Sequence, residues 1–149
     1  MNLAKEMGSA MTGLEQLQAL IGNGRRPPIA ELMGFDLVEL EEGRVVFQGA
    51  PGFEVYNPIG SVHGGYAATI LDSACGCAVH SRLSATQAYT TLELKVAYHR
   101  GMTAETGVVR AEGLVLSFGR RAAFAEAKLT DASGKLLASA TSSLLVMER

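Results

Sequence analysis

Cysteine is scarce: only 2 of the 149 residues, Cys75 and Cys77. Helix positions two apart do not face one another, so a disulfide between them is disfavoured and both read as buried thiols. A metal centre is poorly supplied as well. There is no second Cys pair, and His63, His80 and His99 show no ligand spacing. Basic charge is also short, with 13 Lys and Arg against 15 Asp and Glu, a net charge of -2. Such a balance speaks against a nucleic-acid partner, and any anionic ligand must be met by a local cluster. No apolar run approaches the roughly 20 residues of a membrane span. Residues Met1 to Glu6 carry an acid early and lack the unbroken apolar stretch of a secretory signal. A cytoplasmic protein is the expectation. A Gly-x-Ser-x-Gly elbow is missing too, which speaks against a serine hydrolase.

What is present is one domain's worth of core. At 48% hydrophobic and 19% charged residues, the composition is that of an ordinary globular chain. Leu3, Met7, Met11, Leu14, Leu17 and Ile21 recur at helical spacing and predict one amphipathic helix, stopped at Gly22-Asn23-Gly24. Arg25-Arg26-Pro27-Pro28 reads as a linker, so residues 1–34 form a helix plus linker and 35–149 the main domain. Phe35 to Gln48 predicts a strand pair turning at Glu41-Glu42-Gly43, and Gly49 to Gly60 is irregular. From about Val62 to Leu83 helix formers and small residues predict a long helix with Ser61 as N-cap. Ile70, Ala74 and Cys77 mark its apolar stripe; Gly65, Ala68, Thr69, Asp72 and Gly76 mark a side that something packs closely against. Thr90, Leu92, Leu94, Val96 and Tyr98 then alternate with polar partners, and strands at Glu105–Leu116, Arg121–Thr130 and Leu136–Met147 follow as a meander. The fold class is α+β: an antiparallel sheet wrapped around one central helix, with an extra N-terminal helix.

Chemistry points to that central helix. Its first N–H groups have no partner within the helix, and the dipole is positive there. His63-Gly64-Gly65 opens it, and side-chain-free glycines suit a developing oxyanion. Equally, glycines let a loop enter a helix. Asp72 lies among Ile70, Leu71, Ala74 and Cys75, with no Lys or Arg three or four positions away. A carboxylate in such a setting is costly unless used or hydrogen-bonded. Gly64 and Asp72 are eight residues apart, about 12 Å along a helix, too far to share one carbonyl carbon. The gap closes if a second copy of the helix runs antiparallel alongside, which implies a homodimer.

Asn57, Gly60, His63-Gly64-Gly65, Leu71-Asp72 and Leu92-Glu93-Leu94-Lys95-Val96-Ala97-Tyr98 resemble the hotdog-fold acyl-CoA thioesterases of the phenylacetic-acid-pathway and hydroxybenzoyl-CoA group. The resemblance runs from about Phe35 to the C-terminus. It implies that the Gly64 N–H polarises the thioester carbonyl and that Asp72 acts as nucleophile or general base. Asn57 and His63 would orient the carbonyl or the water. A hydroxyl on the first long strand, Thr91 in preference to Thr90, would hold Asp72, although Thr90 shares the parity of the apolar residues. Gly65, Tyr66, Tyr56, Ile59, Val55 and Thr90 would contact the acyl group. Gly119, Arg120 and Arg121, with Arg82 and Lys95 as weaker candidates, would meet the phosphates of coenzyme A. The resemblance implies no cofactor beyond that coenzyme A, and dimers pairing into a tetramer. Where such proteins often carry Arg-Pro after the strand tyrosine, this chain has His99-Arg100-Gly101. Two other readings use the same residues: an acyl-thioester dehydratase or hydratase, and a non-catalytic acyl-CoA binding module.

Overall fold

The small-residue helix becomes the axis around which everything else is laid. The computed structural model describes residues 1–7 and 10–149, and not the side chains of Ala4 and Met7. In chain order the elements are α1 (Leu3–Met7), α2 (Gly13–Gly22), α3 (Pro28–Met33), β1 (Phe35–Glu41), β2 (Arg44–Gly49), α4 (Gly64–His80), β3 (Gln87–Tyr98), β4 (Val109–Phe118), β5 (Ala122–Asp131) and β6 (Leu136–Glu148). Single 3-10 turns lie at Phe53–Val55 and Ala104–Thr106. Six strands form one antiparallel sheet in the order β1-β2-β4-β5-β6-β3. α4 packs against five of them, β2 through β6. Its core face is Ile70, Leu71, Ala74, Cys75 and Ala78, all fully buried. Contact with β4 is closest at Gly113, where a Cβ would stand 2.2 Å from the Ala74 carbonyl oxygen. Only glycine allows helix and strand to meet at that depth.

Four expectations need correction. The predicted N-terminal helix is two helices, α1 and α2, with Gly8 and Ser9 of the predicted span outside the described residues. Thr12 restarts the helix through a capping box with Glu15, which satisfies orphan N–H groups from both sides. The linker at Arg25–Pro28 leads into a third helix, α3, with Pro28 in its first turn and Gly34 left-handed at its end (φ 72°). Those are the signals of a short helix, and proline is at home in a first turn. The N-cap of α4 is His63, not Ser61; the Ser61 hydroxyl instead accepts from Asn57. Finally, the meander holds for β4, β5 and β6 only. β3 pairs with β6 rather than β4, because the segment after Tyr98 crosses the end of the sheet before β4 begins. β3 is thereby an edge strand.

Cys75 is buried as expected, while Cys77 is half-buried. Among the described residues no helix is long and apolar enough to cross a membrane, and no group of His, Cys, Asp and Glu is arranged to hold a metal ion.

Candidate active site

The start of α4 is presented by a loop that folds back on itself. The His63 N–H donates to the Val55 carbonyl and the Asn57 N–H to the Ser61 carbonyl, each at 2.8 Å. Within the loop the Asn57 carboxamide oxygen accepts from the N–H groups of Ile59 and Ser61, both at 3.1 Å. Its Nδ2 donates to the Ser61 hydroxyl at 3.0 Å. Asn57 thus braces the loop. His63 is exposed, and its Nδ1 accepts from the Gly65 N–H at 2.8 Å, so the neutral ring carries its proton on Nε2.

Both glycines make room for specific neighbours. A Cβ on Gly64 would stand 2.9 Å from the Tyr98 hydroxyl, and one on Gly65 would stand 2.8 Å from His63 Nδ1. The Tyr98 phenol donates to the Gly64 carbonyl at 2.8 Å, tying the helix start to the end of β3. The Gly64 N–H is left over. Among the described residues nothing accepts from it, and it lies at the positive end of the helix dipole. A cavity of about 210 Å³ opens beside it, lined by Val62, Ala67, Tyr98, Arg100 and Met102.

Asp72 is two turns further along α4 and half-buried. The Thr91 hydroxyl donates to its Oδ1 at 3.2 Å. That Thr91 faces the helix, against the parity of Leu94, Val96 and Tyr98, has a definite cause. The register of β3 on β6 shifts between Thr91 and Glu93. The extra residue, Leu92, is 63% exposed. A bulge of this kind exchanges the two faces of a strand. Below it Tyr89 and Thr91 face α4; above it Leu94, Val96 and Tyr98 do. Thr90 is exposed on the other face. Burial, with the charge of Asp72 adding to it, pushes the thiols of Cys75 and Cys77 up to about 12, so neither is a ready nucleophile near neutral pH.

A free N–H at a helix start, a tethered carboxylate on the same helix and a sheet wrapped around both define the candidate site, and comparison with known proteins gives the family of the chain. The profile of the thioesterase superfamily matches residues 59–138, more than half of the chain and the whole of α4. The chain belongs to the thioesterase superfamily. This thioesterase is 27% identical over 109 residues to a 1,4-dihydroxy-2-naphthoyl-CoA hydrolase of Listeria monocytogenes, an alignment covering 73% of the chain and 87% of the relative. Among solved structures it is 30% identical to a conserved protein of Pseudomonas aeruginosa (TM-score 0.76; 82% of this chain, 95% of that one). It is 26% identical to a mutant of the phenylacetic acid degradation protein PaaI of Thermus thermophilus (TM-score 0.73; 80% and 98%). The sheet and central helix are the hotdog fold, and the chain is a thioester hydrolase.

Elsewhere in the thioesterase the expected contact residues scatter. Tyr66 is 1% exposed and meets Phe35 edge-on at 6.4 Å. Burial, then the charge of Glu54, pushes its phenol up to about 12. It is therefore part of the packed core. Val55 is half-buried, Ile59 is 85% exposed, and the Tyr56 hydroxyl accepts from the Ala104 N–H at 2.7 Å. Gly119, Arg120 and Arg121 are exposed in the turn between β4 and β5. Arg82, just past the end of α4, holds its guanidinium 5.3 Å over the Phe118 ring and 3.8 Å from the Glu42 carboxylate. Just past the turn, Ala123 pairs with Leu144, which pairs with Thr91, two strand spacings or about 10 Å. Lys95 is exposed on β3, on the face away from α4.

The single chain brings Thr91 to Asp72, and His63 and Tyr98 to the Gly64–Gly65 turn; Arg82 meets Phe118 and Glu42. It does not bring Gly64 to Asp72, which stay about 12 Å apart on one helix. Two residues at the site escaped the sequence reading, Tyr98 as a tether and Tyr89 beside Gly76. A tyrosine placed opposite a helical glycine is a signal only once the strand register is known.

Proposed function

We propose that the chain hydrolyses an acyl-CoA thioester to the free acid and coenzyme A. Asp72 acts as general base on water or as nucleophile, and a Gly64 N–H serves as oxyanion donor. The observation that carries this reading is the Asp72 carboxylate held by the Thr91 hydroxyl on a stretch of α4 where Thr69, Asp72 and Ser73 are only half-buried. A thioester carbonyl is activated and its thiolate leaves readily, so one carboxylate and one oriented donor suffice. The names of two relatives support a CoA thioester of an aromatic acid: one hydrolyses a naphthoyl-CoA and the other belongs to phenylacetic acid degradation.

The donor comes from a second copy. β3 is an edge strand whose far end holds Gly64 through Tyr98 and whose near end holds Asp72 through Thr91. Antiparallel pairing of two β3 strands about a two-fold near Leu94 and Lys95 sets these ends opposite each other. The partner's Gly64 then faces Asp72, and two equivalent sites result. Residues 35–149 carry this thioesterase unit, with α1 and α2 packed on its flank, and coenzyme A lies along Arg82, Arg120 and Arg121. Dimers pair further into a tetramer. A dehydratase would need His63 and Asp72 acting together, and His63 Nδ1 is already taken by the Gly65 N–H.

Asp72→Asn is expected to lower thiol release from acyl-CoA by at least about 10²-fold, with the thermal transition and the oligomeric state kept. Turnover near wild type in that variant ends the mechanism.

A further inference from the structure

Past Asp72 the open face of α4 does not simply continue. One turn on, at Gly76, it is closed by the side chain of Tyr89. A Cβ on Gly76 would stand 2.7 Å from the Tyr89 hydroxyl and 3.2–3.3 Å from its ring, so the hydroxyl end of the phenol abuts the helix. The next turn presents His80, whose ring meets the Tyr89 ring edge-on at 5.8 Å. Behind Tyr89 lies a solvent-open cavity of about 460 Å³, lined by Leu3, Gln16, His80, Leu83 and Tyr89 itself together with Lys5 and Arg149. Its size falls in the range of small-molecule pockets, about 300–1,000 Å³.

Tyr89 and Thr91 share the α4-facing side of β3 below the bulge, just as Asp72 and Gly76 share a side of α4. The carboxylate, the tyrosine and the cavity are therefore in line, and the Tyr89 side chain supplies the nearest atoms over Gly76. The Tyr89 hydroxyl has no hydrogen-bond partner among the described residues. Burial, with the nearby Cys77 and Asp72 adding to it, raises its pKa and keeps it neutral. Its position is set by packing.

We propose that Tyr89 is the specificity-determining floor of the acyl site. It confines the enzyme to short or compact acyl groups and walls off a cavity that would otherwise accept a long acyl chain. The inference rests on the acyl-CoA thioesterase reading above. An acyl group seated at Asp72 and running towards the C-terminal end of α4 ends against the phenol ring. Removing the ring joins the site to the cavity over Gly76, and methylenes that had no place gain an apolar lining.

The test is the ratio of kcat/KM for dodecanoyl-CoA to that for butanoyl-CoA. It is measured by thiol release on wild type, Tyr89→Ala and Tyr89→Phe. A ratio within one preparation is independent of how much protein is correctly folded. Tyr89→Ala is expected to raise it at least about tenfold, the scale on which pocket volume discriminates acyl chains. Tyr89→Phe keeps the ring and is expected to hold the wild-type ratio. An unchanged or lower ratio in Tyr89→Ala overturns the proposal, as does a rise of equal size in Tyr89→Phe, which would assign the effect to the hydroxyl. Wild type that releases thiol from no acyl-CoA overturns the thioesterase reading itself. Butanoyl-CoA turnover with an unmoved ratio overturns only the role of Tyr89.

Discussion

The two ends of α4 are built on opposite rules. At the C-terminal end the polar groups are paired. The Ser81 hydroxyl donates to the Ala78 carbonyl at 2.7 Å and accepts from the Gly43 N–H at 2.7 Å. The Leu83 carbonyl accepts from the Gly13 N–H at 2.9 Å, and His80 Nε2 donates to the oxygen of Gln16, which is fully buried, at 3.0 Å. At the N-terminal end the Gly64 N–H has no acceptor among the described residues, and the ring that caps Gly65 is exposed. One end fastens the helix to the rest of the chain, and the other is left available. A helix terminus with spare donors is a stability cost within one chain. It becomes useful when an oxyanion supplies the missing acceptor.

Three perturbations sharpen this contrast, and the largest acts at the closed end. Burial, then the charge of Arg149, lowers the His80 pKa from 6.5 to about 4. Between those values the unfolded chain takes up a proton that the folded chain does not. Stability should therefore fall as pH drops from about 6.5 to about 4 and level off below, by up to about 3 kcal/mol. Urea unfolding midpoints across that window check it, with His80→Gln expected to flatten this part of the curve. At the open end, Gly64→Ala drives a Cβ towards the Tyr98 hydroxyl at 2.9 Å and displaces the N–H proposed as oxyanion donor. Activity is expected to drop on the order of tenfold or more while the urea midpoint moves little. A large stability loss with normal activity in the folded fraction would reverse the assignment of the two ends. The smallest effect lies between them. Thr91→Val removes one hydroxyl from Asp72 and should cost about 1 kcal/mol of transition-state stabilisation, roughly fivefold in kcat. Thr91→Ser should restore it; failure to do so would mean that Thr91 acts through packing.

Much of this was legible before any coordinates. The long helix, the strand pair turning at Glu41-Glu42-Gly43 and the run of C-terminal strands follow from periodicity and breakers. The apolar setting of Asp72 calls for a hydrogen-bond partner, and Thr91 supplies one. Three features were not legible, each for its own reason. Ser61 was a sound N-cap by residue type, but the Asn57 side chain competes for it and His63 takes over. The face of Thr91 depends on a bulge at Leu92, and an uninterrupted period of two carries no mark of a bulge. The place of β3 at the edge depends on where the segment after Tyr98 goes, and turn signals alone cannot show that.

The sequence by itself determined that one long helix opens on two glycines and carries a carboxylate among apolar neighbours, because helix propensity, apolar spacing and a stranded carboxylate are local properties. Only the tertiary structure decided what surrounds them: Thr91 on Asp72, Tyr98 on Gly64, Tyr89 over Gly76, and an unpaired β3 edge. Those contacts join residues far apart in the chain, and they depend on strand order and register, which no local pattern encodes.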